Sequence, residues 1–157
     1  NSRGSVIPFF LKLNSINSKE IPITDKAMTR FWISLQEAVD FVFSCFQTME
    51  GGEIFVPKIK SVKTIDLAKI ICGDKKIKLI GIRPGEKIHE VMCPVENSQQ
   101  TYELKDKFII FPDYNKKFNI KSKGKKVKSN FEYSSDNKKF VMSLKQIKEK
   151  LKKEKII

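Results

Sequence analysis

GGEIFVPKIKSVKTIDLAKIICGDKKIKLIGIRPGE, residues 51–86, carries the architectural signal of this chain. Glu53 to Val56 is a brief apolar run stopped by Pro57, which has no amide proton to offer a continuing ladder. Thr64 then caps a helical pattern in which Ile65, Leu67, Ala68, Ile70 and Ile71 are apolar, and Gly73 ends the element. Ile77 to Ile82 reads as the next strand. Two strands joined by a helical crossover predict a parallel pair, and such sheets gather ligand-binding loops at the carboxyl ends of their strands.

Outward from this unit the same alternation continues, and the fold class is α/β. Ser5 to Leu13 reads as a short helix with Val6, Ile7, Phe10 and Leu13 apolar, and Glu20 to Thr24 as an extended segment through Pro22. Ser34-Leu35-Gln36-Glu37 has the form of a capping box. Leu35, Ala38, Val39, Val42 and Phe46 follow it at the helical period, and Gly51-Gly52 closes the element. Phe41 and Phe43 add a second apolar face, so this helix is expected to be buried on much of its circumference.

The segment leaving the last strand is Gly81-Ile82-Arg83-Pro84-Gly85-Glu86-Lys87-Ile88-His89-Glu90. Pro84 biases Arg83 toward extended backbone, Gly85 permits a tight turn, and Glu86 is expected near the start of a helix. A guanidinium held at such a corner suits a diphosphate, and a carboxylate suits sugar or ribose hydroxyls. Glu86 also fits a plain N-terminal helix charge. His89 is the only histidine, three residues from Glu86. Two groups without further ligands do not make a metal site, and no metal is expected.

Only three of the 31 basic residues are arginine: Arg3, Arg30 and Arg83. Where lysine supplies the surface charge, an arginine marks a place where a planar, bidentate donor is useful. Each lies in a short segment with glycine, proline or aromatic neighbours.

The net charge of +13 is unevenly spread. Residues 1–115 hold 16 basic and 14 acidic side chains, and residues 116–157 hold 15 and 4, giving +2 and +11. The basic end, with Lys121-Ser122-Lys123-Gly124-Lys125-Lys126, is read as a solvated lysine-rich stretch, because no nucleic-acid-binding signature accompanies it. No nucleic-acid partner is expected. The hydrophobic content of 40% supports one globular unit with a tail. No apolar run approaches the length that spans a bilayer, and the opening residues lack a secretory pattern. Cys45, Cys72 and Cys93 are odd in number and sit in apolar surroundings, which suits reduced thiols in a cytoplasmic protein.

Taken in order, several motifs add up to a resemblance. They are Arg3-Gly4-Ser5-Val6-Ile7-Pro8-Phe9-Phe10, Pro22-Ile23-Thr24-Asp25 with Met28-Thr29-Arg30-Phe31-Trp32-Ile33, Gly52-Glu53-Ile54-Phe55-Val56-Pro57-Lys58, and Ile82-Arg83-Pro84-Gly85-Glu86-Lys87-Ile88-His89-Glu90-Val91-Met92. Together they resemble the carboxyl-terminal half of inverting UDP-N-acetylglucosamine 4,6-dehydratases. These belong to the CapD-like polysaccharide biosynthesis branch of the extended short-chain dehydrogenase/reductase superfamily. The likeness spans residues 1–112. Tyr133-Ser134-Ser135-Asp136-Asn137, with Phe140 and Leu144, is similar to the family's terminal segment before a last helix.

The resemblance implies the substrate-binding part of a Rossmann-type extended short-chain dehydrogenase/reductase fold. Residues 1–112 would be the nucleotide-sugar-binding part and 113–157 a lysine-rich loop and terminal helix. It implies a UDP-sugar substrate, an NADP cofactor and a homo-oligomer. The reaction would oxidise the sugar at C4, eliminate water across C5 and C6 and return hydride at C6, giving a 4-keto-6-deoxy sugar inverted at C5. Arg83 would neutralise the diphosphate and Glu86 fix a hydroxyl. Arg30 would assist at the phosphates, and Arg3 and Thr24 would face the cleft. No Gly-x-x-Gly-x-x-Gly turn and no Tyr-x-x-x-Lys pair occurs in the sequence. The family's dinucleotide-binding and catalytic residues are therefore expected to precede Asn1, and this chain is expected to be inactive alone, without catalytic residues of its own. A related epimerase, or a bifunctional dehydratase/epimerase, would share the binding frame. A basic binding module is the non-enzyme alternative.

Overall fold

Helix α1, Val6–Ser15, forms where apolar residues recur at helical spacing, and it turns Ile7 and Phe10 into a core. The structure is a computed structural model that describes residues 5–112 and 124–157. The chain divides into two compact units, one of residues 1–34, 60–90 and 135–157, the other of residues 35–59 and 91–134. The motif-based division after residue 112 rests on family likeness, a different criterion.

In the first unit, strand β1, Glu20–Ile23, alternates so that Ile21 and Ile23 are buried. It pairs with β5, Lys76–Leu79, in parallel register from Glu20 against Lys76 to Ile23 against Leu79. Ile80 extends the ladder by donating its amide to Ile23 O at 3.0 Å. Strand β2, Thr29–Trp32, runs antiparallel to β4, Lys60–Lys63. Helix α3, Thr64–Cys72, buries Leu67, Ala68, Ile71 and Cys72, the adjacent positions of two successive turns. Helix α4, Leu144–Lys153, is mostly lysine but buries Ile147 and Leu151 four residues apart. Its start is a capping box between Ser143 and Gln146. These side chains join Trp32, Val62 and Met142 in one core.

The second unit holds an antiparallel sheet in the order β3, β8, β7, β9, made of Ile54–Pro57, Lys107–Ile110, Thr101–Glu103 and Lys125–Lys126. A short pair joins β6, Val91–Cys93, to β10, Tyr133–Ser134. Tyr133 is fully buried, its ring 5.0 Å from that of Phe108. Its hydroxyl donates to Ile59 O at 2.7 Å and accepts the Ile59 amide at 2.9 Å. Burial pushes this phenol and the Cys93 thiol up to about 12.

Three expectations need correction. The strand at Ile54–Pro57 is not the parallel partner of Lys76–Leu79. It pairs antiparallel with β8, and the parallel partner is β1. The chain inserts β4 between β3 and α3, so the element before the crossover is not the one read from the sequence. Thr64 does not cap α3, since its hydroxyl donates to Met28 O at 3.0 Å. Helix α2, Leu35–Phe46, buries none of its residues, and Leu35, Val42, Phe43 and Phe46 are 50–77% exposed. The helical period reports where the apolar faces lie, and it carries no information on what covers them. The three cysteines are free, with Cys72 and Cys93 buried and Cys45 half-buried.

Candidate functional site

One turn of backbone organises the site. The Glu86 amide donates to Arg83 O at 3.0 Å, and the Arg83 amide returns a bond to Glu86 Oε2 at 3.3 Å. Pro84 and Gly85 occupy the tip, and Gly85 has φ +78°, a conformation that other residues adopt only with strain. No helix follows. The segment from Glu86 to Glu90 is irregular, which corrects the expectation of a helix beginning at Glu86. The Glu86 carboxylate closes the turn instead of capping a helix, and its Oε1 also accepts the Thr24 hydroxyl at 3.4 Å.

The segment is stitched to β2 residue by residue. Arg30 Nη1 donates to Thr29 O at 2.7 Å and Ile88 O at 3.1 Å, and Nη2 donates to Lys87 O at 2.9 Å. Glu86 and Glu90 lie 3.9 and 3.6 Å from the same guanidinium. Glu90 Oε2 accepts the Phe31 amide at 3.2 Å. The Thr29 hydroxyl lies 2.8 Å from His89 Nδ1 and 2.6 Å from the hydroxyl of Ser135. His89 thus belongs to a polar cluster with Thr29 and Ser135, both nearly or fully buried.

Within this same unit Thr24, Arg30, Arg83 and Glu86 line a single pocket of about 480 Å³. Phe9, Phe10, Ile23 and Ile80 supply much of its apolar wall. Apolar walls with a few convergent polar groups are the usual character of a small-molecule site. The structure therefore gathers four of the five side chains named from sequence; Arg3 lies outside the described residues. Two contributors were missed. Lys12, which lines the pocket from α1, stands four residues after Pro8, a helical spacing that was available in the sequence. Glu90 stands four residues after Glu86, but in a segment that is not helical, so only the fold reveals its role.

No group of three or more acidic, cysteine or histidine side chains suited to a metal occurs among the described residues. The described residues also do not fit a dinucleotide. A dinucleotide cradle needs a glycine turn opening a helix, and among the described residues α1, α2, α3 and α4 are preceded by Ser5, Ser34, Lys63 and Ser143. Gly73, by contrast, closes a helix.

Residues 1–112 match the family model described as polysaccharide biosynthesis protein. The chain belongs to this polysaccharide biosynthesis family. It is 52% identical over 144 residues to the UDP-N-acetylglucosamine 4,6-dehydratase (inverting) of Campylobacter jejuni, covering 87% of this chain and 43% of that protein. It is 41% identical over 114 residues to the UDP-glucose 4-epimerase of Rickettsia canadensis, covering 69% of this chain and 33% of that protein. The X-ray structure of Pen from Bacillus thuringiensis superposes with a TM-score of 0.82 at 30% identity, over 99% of this chain and 47% of that one. This member of the polysaccharide biosynthesis family thus spans less than half the length of the relatives it matches. Its α/β fold is part of an extended short-chain dehydrogenase/reductase fold.

Proposed function

We propose that the chain supplies the nucleotide-sugar-binding part of an inverting UDP-N-acetylglucosamine 4,6-dehydratase. The observation that carries this reading is the convergence of Thr24, Arg30, Arg83 and Glu86 on one apolar-walled pocket. Arg83 grips the diphosphate, because its guanidinium stands exposed at the turn while its backbone is held by Glu86. Glu86 accepts a sugar or ribose hydroxyl in the place where it accepts the Thr24 hydroxyl here. Arg30 serves the phosphates chiefly by fixing the segment that bears Glu86, and Arg3 and Thr24 belong to the cleft wall.

The whole enzyme acts on a UDP-sugar in the cytoplasm as a homo-oligomer with NADP, yielding a 4-keto-6-deoxy sugar for surface polysaccharide. When bound, NADP supplies the redox chemistry. The residues of this chain bind and orient the substrate and hold no catalytic group, so the chain is inactive alone. The Rickettsia likeness supports a second reading, an epimerase on the same frame. Product analysis separates the two, since only dehydration consumes the C6 hydroxyl.

Calorimetric titration of the chain with UDP-N-acetylglucosamine and UDP tests the reading, with Arg83→Ala and a short DNA duplex as controls. Saturable binding lost in Arg83→Ala is expected. Duplex binding that survives Arg83→Ala, without UDP-sugar binding, supports a basic module and sinks the proposal.

A further inference from the structure

Three cationic side chains line the pocket, Lys12, Arg30 and Arg83, against one carboxylate, Glu86. They are not equivalent. Arg30 gives its donors to three backbone carbonyls, and its charge is shared by Glu86 and Glu90. A guanidinium so engaged has little left to offer an incoming anion. The Lys12 ammonium and the Arg83 guanidinium have no side-chain hydrogen bond or ion pair with any described residue. Among the described residues Glu86 and Glu90 both compensate Arg30, and Lys12 and Arg83 are the two pocket cations with no carboxylate within ion-pair distance. A diphosphate diester carries one negative charge on each phosphoryl group, so the balance fits that ligand.

The position of Lys12 supports the same reading. On α1 the pocket is lined by Val6, Phe9 and Phe10, at spacings of three and four, and by Pro8 and Lys12, four residues apart on the adjoining stripe, so Lys12 stands one turn beyond Pro8 on the side that meets the pocket. The Lys12 side chain leaves the last turn of α1 and is exposed. A compact ammonium on a flexible stem follows a phosphate without needing the fixed geometry of an arginine.

We propose that Lys12 is a second phosphate-binding residue, sharing the diphosphate of the ligand with Arg83. This rests on the nucleotide-sugar reading above and adds a residue to it. The test titrates the chain with UDP and with uridine, comparing wild type, Lys12→Met, Lys12→Arg and Arg83→Ala, with far-UV spectra to verify folding. Lys12→Met is expected to weaken UDP binding roughly tenfold and leave uridine binding unchanged. Lys12→Arg is expected to stay within about twofold of wild type, since the charge is kept. If Arg83→Ala loses UDP while Lys12→Met binds it as wild type does, the Lys12 assignment is wrong and the nucleotide-sugar reading stands. Equal weakening of UDP and uridine by Lys12→Met would make the residue a packing element and also overturn the assignment. Absence of UDP binding to the wild-type chain, or binding indifferent to Arg83→Ala, removes the nucleotide-sugar reading and this inference with it.

Discussion

Thr24 and Glu86 lie 62 positions apart, and the hydroxyl of the first donates to the carboxylate of the second at 3.4 Å. The other carboxylate oxygen accepts the Arg83 amide. Glu86 therefore sets the turn that carries Arg83 while its other oxygen stays on a hydroxyl donor, the contact that the proposed sugar hydroxyl would take over.

Glu86→Gln keeps the size of the side chain and one acceptor oxygen but removes the charge. Affinity for UDP-N-acetylglucosamine is expected to fall about tenfold, the scale of a hydrogen bond to a charged group. Affinity for UDP should fall less if the hydroxyl belongs to the hexose. Equal affinity of mutant and wild type for both ligands would remove the proposed contact.

Arg30→Gln tests the stitching of residues 86–90. Three carbonyls lose a charged donor, and Glu86 and Glu90 lose a counter-ion. Faster amide exchange is expected in the 86–90 segment and at Thr29, whose amide donates to Ile88 O, with global stability lowered by about 1–3 kcal/mol. Unchanged exchange there would show that Thr29, His89 and Ser135 hold the segment without Arg30.

How far the sequence was legible follows from the range of the interactions. Arg83-Pro84-Gly85-Glu86 announced a turn because proline and glycine act locally, and the structure has that turn. The helix expected after it is absent because Glu86 to Glu90 spend their polar groups on β2. Strand β4 was unreadable: Lys60-Ser61-Val62-Lys63 has one apolar residue, and Ser61 is buried by long-range pairing with Phe31 and Val141. The parallel partner of β5 was equally hidden, since Ile21 and Ile23 carry the same local pattern as Ile54 and Val56.

Leu151→Ala removes one of the two fully buried side chains, Ile147 and Leu151, by which the lysine-rich α4 packs into the core. A loss of about 2–5 kcal/mol is expected in denaturant unfolding of the first unit. Lys152→Ala, on the exposed side of the same helix, should change stability by about 0.5 kcal/mol or less.

Alkaline pH should destabilise the second unit through Cys93 and Tyr133. Their ordinary values are 9.0 and 10.0, and both rise to about 12 in the folded chain. Between those limits the unfolded chain has released protons that the folded chain still binds, so stability falls as pH rises. The contribution is fully present below about pH 8 and shrinks by on the order of 2 kcal/mol by about pH 10.5. Unfolding curves at the two pH values check this, and Cys93→Ala should reduce the slope.

The exposed face of α2 makes the last prediction. Leu35, Val39, Val42 and Phe46 fall at spacings of four, three and four, one stripe along the helix, and each is at least 39% exposed. Contiguous apolar surface of this kind gains about 25 cal/mol for each Å² removed from water, so it favours association. The chain is expected to self-associate and to bind an apolar dye, and Val42→Lys with Phe46→Lys should lower both. Because none of these side chains is buried, the unfolding midpoint should move by less than the equivalent of about 0.5 kcal/mol. Unfolding of the double variant would instead mean that the stripe is internal in solution.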